Sequence, residues 1–131
     1  MVFSQEEHMM FTLSIQSQFC AARHLPLIKG PCANPHGHTF EVTAKFKSSR
    51  LNDDIVIDYN QLKGIVDQRV KAFDHQDLNK LSEFKNVQPS NERILMILFT
   101  KITEALPADF PSLHSLKIQD QVGICLKYQP K

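Results

Sequence analysis

A chain of 131 residues, 42% hydrophobic and 22% charged, can bury one core and is short for two, so residues 1–131 read as a single domain. A formal net charge of +1 with both signs interspersed excludes an electrostatic case for nucleic acid or an anionic membrane, and no apolar run approaches the length that spans a bilayer. Three cysteines without a tight framework argue against a disulfide scaffold, and Glu6, Glu7 and His8 stand where a secretory signal would be apolar; the expected location is the cytoplasm.

From Met10 to Leu25, Phe11, Leu13, Ile15, Phe19 and Ala21 alternate with Thr12, Ser14, Gln16 and Gln18, which predicts a long half-buried strand. Pro26, Gly30, Pro31 and Pro35 break regularity across the following loop. Phe40, Val42, Ala44 and Phe46 then alternate with Thr39, Glu41, Thr43, Lys45 and Lys47, a second strand expected to pair antiparallel with the first. Asp58 with Gln61 forms a capping-box variant ahead of Leu62, Ile65, Val66, Val70 and Phe73, predicting a helix that ends near Asp74. Ser90 caps a second helix, with Ile94, Leu95, Leu98, Phe99, Ile102, Ala105 and Leu106 on its buried face and Pro107 after it. Two closing strands follow, around Leu116–Gln119 and Val122–Tyr128. The order strand, strand, helix, helix, strand, strand implies an α+β fold: a four-stranded antiparallel sheet with both helices on one face and strand edges that invite pairing between subunits.

The chemistry concentrates between the first two strands. His36 and His38, two apart on a strand, point the same way and together can grip one metal ion. A thiol, Cys32, lies four residues before His36, a third candidate ligand, His24, ends the first strand, and Asp74-His75 follows the first helix. Each has a plain alternative: surface histidines, an inert thiol, a helix cap. Cys20 and Cys125 read as small buried packing residues, and Arg23, Lys29 and Lys63 as solvated charges.

Taken together, Phe19-Cys20-Ala21-Ala22-Arg23-His24-Leu25-Pro26, Cys32 with His36-Gly37-His38, Ile57-Asp58-Tyr59-Asn60-Gln61-Leu62-Lys63, Phe73-Asp74-His75-Gln76-Asp77-Leu78-Asn79 and Pro89-Ser90-Asn91-Glu92 resemble the 6-pyruvoyltetrahydropterin synthase family, in particular its 6-carboxytetrahydropterin synthase (QueD-like) branch. The resemblance runs from about Phe11 to Tyr128. It implies a tunnelling fold (T-fold) whose subunits close into a trimeric barrel, with two trimers stacked as a hexamer and active sites between subunits. It also implies a zinc-dependent lyase that takes 7,8-dihydroneopterin triphosphate, in the queuosine or the biopterin direction. On this chain His24, His36 and His38 would hold Zn2+. Cys32 and the Asp74-His75 pair would move protons, and Ser90, Asn91 and Asp120 would bind the pterin. The alternative is a non-catalytic pterin- or nucleotide-binding oligomer with a degenerate metal site, and aldol cleavage of a dihydropterin is a further reaction open to the scaffold. Two departures from the family pattern matter. The family's His-Arg order in the first strand is here Arg23-His24, so a gap-free match sets Arg23 where the first zinc histidine belongs. A bulge would return His24 to the metal; without one the chain binds zinc with fewer protein ligands or none. The family's pterin-anchoring Glu is Asp120, one methylene shorter.

Overall fold

The computed structural model describes residues 9–30, 36–120 and 123–131, with His36 described by its main chain alone. Two thirteen-residue strands, β1 (Phe11–Arg23) and β2 (His36–Ser48), pair antiparallel from Phe11 opposite Ser48 to Arg23 opposite His36. Side-chain alternation does the rest. Ile15, Phe19, Ala21 and Arg23 of β1 and Phe40, Val42, Ala44 and Phe46 of β2 are buried, while Gln16, Gln18 and Cys20 are not.

Helix α1 (Tyr59–Lys71) starts at Asp58, whose carboxylate accepts the Asn60 N–H at 2.9 Å, and buries Leu62, Val66 and Val70. A two-residue strand, β3 (Gln76–Asp77), follows, then two 3₁₀ turns that bury Leu78 and Phe84. Helix α2 (Asn91–Ala105) starts at Ser90, whose hydroxyl accepts the Arg93 N–H at 3.1 Å, and buries Ile94, Leu95, Leu98 and Ile102. Strands β4 (Ser112–Gln119) and β5 (Cys125–Tyr128) complete the sheet, and Leu116 and Ile118 close a single core shared by both helices. Its centre is aromatic: Phe19 stacks on Phe40 at 4.8 Å between ring centroids and meets Phe73 edge-on at 5.8 Å. Among the described residues no helix is long and apolar enough to cross a membrane.

The element order and the α+β class agree with the sequence reading, and four particulars differ. The sheet has five strands in the order β3-β1-β2-β4-β5, because β3 adds a short parallel pairing to Ala21 and Ala22. Two residues carry no detectable period, so the pattern could not announce it. Strand β5 begins at Cys125, so Gly123 and Ile124 of the expected strand stand before it, while Val122 lies outside the described residues: with Gly123 at φ +83° and the Asp120 N–H donated to the Ile124 carbonyl (3.2 Å), Ile124 is 56% exposed. Cys20 and Cys125 are exposed instead of packed inside, since both fall on outward positions of their strands. Arg23 is buried at 6% exposure instead of solvated, because its parity in β1 is that of Phe19 and Ala21.

Phe40 is fully buried at the middle of this packing, so Phe40→Ala should cost about 3–5 kcal/mol of unfolding free energy in a urea titration. A change within about 0.5 kcal/mol, as for an ordinary surface substitution, would show that the Phe19–Phe40 stack does not carry the core.

Candidate active site

The Asp74–His75 pair is assembled on the main chain of β1. The Cys20 N–H donates to Asp74 Oδ1 at 2.8 Å, and the His75 N–H donates to the Cys20 carbonyl at 2.6 Å. His75 lies at φ +58°, a left-handed conformation that non-glycine residues seldom adopt, and these bonds together with the adjacent β3 pairing hold it there. Asp74 Oδ2 lies 2.9 Å from His75 Nδ1, with the two side chains 29% and 83% exposed respectively. A carboxylate on Nδ1 fixes the tautomer and leaves Nε2 to exchange a proton with a substrate. The Cys20 N–H, aided by His75, holds the Asp74 carboxyl below the usual carboxylate range. Beside this pair is a cleft of about 500 Å³ whose lining includes Gln16, Gln18, Glu41, Lys63, Asp67 and Asp74. The Cys20 thiol lies 3.4 Å from Thr39 Oγ1.

A second group lies on the buried side of the same strands. The His38 ring is 5.3 Å from the Phe40 ring, and the Arg23 guanidinium sits over that ring at 5.0 Å. Arg23 also donates to the Pro89 carbonyl at 2.9 Å, immediately before the Ser90 cap of α2. His24 lies one residue past the last rung of the ladder; its N–H donates to Asn79 Oδ1 (2.9 Å) and its carbonyl accepts from Asn79 Nδ2 (3.0 Å). Of the pterin candidates, the Ser90 hydroxyl is engaged in the α2 cap. Asn91 has a buried Oδ1 with no hydrogen-bond donor among the described residues. Asp120 Oδ1 accepts the Ile124 N–H at 3.3 Å in the β4–β5 turn. Cys32 lies outside the described residues, as does the side chain of His36.

The structure therefore brings Asp74 to His75, and places Arg23 and His38 against one aromatic ring. Three participants escaped sequence reasoning: the Cys20 peptide as anchor, Asn79 as the clamp on His24, and Arg23 as an inward-facing cation. The first two act through main-chain bonds that no periodicity reports. The third was legible in strand parity. A three-histidine zinc centre needs a third imidazole beside the His36–His38 pair, and β1 provides no bulge: its pairing runs without a register shift up to Arg23 opposite His36. Among the described residues no three His, Cys, Asp or Glu side chains converge as a ligand set. Within β1 the inward position opposite His36 belongs to Arg23, and His24 follows one residue beyond the ladder.

The family model described as 6-pyruvoyl tetrahydropterin synthase matches residues 12–131. An Archaeoglobus fulgidus protein named "Putative 6-carboxy-5,6,7,8-tetrahydropterin synthase" is 33% identical over 99 residues, covering 76% of this chain and 80% of its own length. A Pyrococcus furiosus dihydroneopterin monophosphate aldolase is 34% identical over 74 residues, 56% of this chain and 60% of its own. The structure of Caenorhabditis elegans 6-pyruvoyl tetrahydropterin synthase superposes with a TM-score of 0.83 at 21% identity, covering 93% and 96% of the two chains.

Because its folded-state pKa is depressed, Asp74 contributes stability above its ordinary value of 3.8, and that contribution fades as pH falls below it toward the lowered value. The stability gap between the parent and Asp74→Asn protein should thus shrink as pH falls below 3.8, read from thermal melts at several pH values. A gap constant from neutral pH to pH 3 or so would mean that Asp74 gains nothing from the Cys20 N–H.

Proposed function

The chain belongs to the 6-pyruvoyl tetrahydropterin synthase family, and on that premise we propose that it is a pterin lyase acting on the side chain of 7,8-dihydroneopterin triphosphate. The observation that carries this reading is the Asp74–His75 pair anchored on the Cys20 peptide, a general acid–base unit with its imidazole presented to solvent. His75 exchanges a proton with a side-chain hydroxyl or carbon of the substrate through Nε2, while Asp74 steadies the charge through Nδ1. Cys32 acts as the second proton-transfer group. The buried, undonated Oδ1 of Asn91 supports a role in accepting an N–H from a pterin ring, with Ser90 and Asp120 as further pterin contacts. The product is a 6-carboxy- or 6-pyruvoyl-type tetrahydropterin.

The high exposure of His75 and a β1 edge that, among the described residues, carries no strand before Ala21 support a site completed by another copy of the chain, in a trimer-based hexamer. Zinc polarises side-chain oxygens where a family member binds it. In this chain Arg23 takes the inward β1 position opposite His36, and the proton transfers proposed here rest on Asp74, His75 and Cys32. The name of the Pyrococcus furiosus relative supports a second reading, aldol cleavage of a dihydroneopterin phosphate.

Three experiments test the reading. Purified protein incubated with 7,8-dihydroneopterin triphosphate should release acetaldehyde or form a pyruvoyl pterin, and mass spectra after incubation with the mono- and triphosphate separate this from aldol cleavage. His75→Ala and Cys32→Ala should each lower turnover by roughly 10²–10⁴ with pterin binding kept, and the double variant should fall little further, since groups acting as a unit are not additive. Cys125→Ala should leave the rate unchanged. Parent-like turnover in His75→Ala would remove the mechanism. Sedimentation at micromolar concentration should show an oligomer, and a monomer alone would count against a shared site.

A further inference from the structure

The inward row of β1 ends in a cation. Phe19 and Ala21 face the core, and Arg23 follows them with the same parity. Its guanidinium lies over Phe40, the ring that His38 also contacts, and its head group donates to the Pro89 carbonyl. This anchoring ties the end of β1 to the segment that launches α2, so the side chain is held in place by packing as well as by a hydrogen bond. Guanidinium offers no lone pair to a metal and does not deprotonate in proteins. Arg23 stands opposite His36 across the ladder and shares the parity that faces His38, so a side chain that cannot ligate a metal takes the strand position where a third ligand is needed.

His24 is not part of that inward row. It stands one residue beyond the last β1 rung, with both of its main-chain groups held by the Asn79 amide. Bringing it onto the inward row requires an extra residue in β1, and the ladder contains none. Displacing Arg23 requires giving up its contacts with Phe40 and Pro89.

We propose that Arg23 is a resident cation in the third corner of the His36–His38 position, so that this chain does not form a three-histidine zinc centre and binds zinc at that position only weakly. The prediction concerns metal affinity and stands apart from the proposed lyase activity, which is read by turnover.

The test is a titration of the full chain, stripped with chelator, with zinc followed by competition with a chromophoric chelator, and separately with Co2+ followed by visible absorption. The parent should hold well below one equivalent of zinc after dialysis and give no intense bands of tetrahedral cobalt. The exchange variant Arg23→His/His24→Arg, which sets an imidazole on the inward row, should bind one equivalent with affinity raised at least about tenfold and on the order of 10². One tight zinc per parent chain, lost in His38→Ala, would overturn the proposal, as would an exchange variant that folds normally by circular dichroism yet binds no tighter than the parent. If the exchange variant fails to fold, Arg23→Gln decides: removing the charge while keeping a donor for Pro89 should raise zinc affinity about tenfold, and an unchanged affinity would overturn the proposal.

Discussion

The unbroken ladder between β1 and β2 is the constraint on which the other features depend. Thirteen residues of each strand pair from Phe11 and Ser48 to Arg23 and His36, and since strand faces alternate, one register decides which side of the sheet every side chain takes. Slipping it by one residue would expose Phe19 and Phe40 and bury Gln18 and Glu41. The aromatic stack in the core therefore fixes the register, and the register in turn fixes what stands near His38. Core packing and site composition are in this way one choice.

The same strand positions two separate chemical groups. Along its edge, the N–H and carbonyl of Cys20 hold Asp74 and His75, and the short parallel strand β3 follows directly. On its buried side, Arg23 reaches Pro89 and stabilises the approach to the α2 cap, where a serine typically contributes about 1 kcal/mol. The Asp74–His75 pair is built on main-chain bonds with the His75 side chain exposed, whereas the row that includes His38 is built on an aromatic core. Among the described residues the β1 edge before Ala21 carries no second strand.

The arginine at the end of β1 shows how a conservative-looking change of order carries a large consequence. Arg and His in adjacent positions have the same composition in either order, but only one of the two can follow Phe19 and Ala21 into the core. Here it is the one with no lone pair. Whatever metal chemistry family members perform with three histidines, this chain devotes that position to a cation–π contact and a hydrogen bond to a carbonyl.

By itself the sequence determined the element order, both helix caps at Asp58 and Ser90, the inward face of each long strand and the family, because these depend on local period, capping chemistry and motif spacing. Tertiary structure decided the rest. Strand β3 exists only because the chain after Asp74 passes beside Ala21 and Ala22, and the anchoring of Asp74 and His75 on the Cys20 peptide joins residues more than fifty positions apart. The late start of β5 follows from the turn that Asp120 and Ile124 close. The burial of Arg23 belongs to both levels: parity pointed it inward, but a charge inside a core is tolerated only where an aromatic face and a carbonyl wait for it, and Phe40 and Pro89 reach that place only in the folded chain.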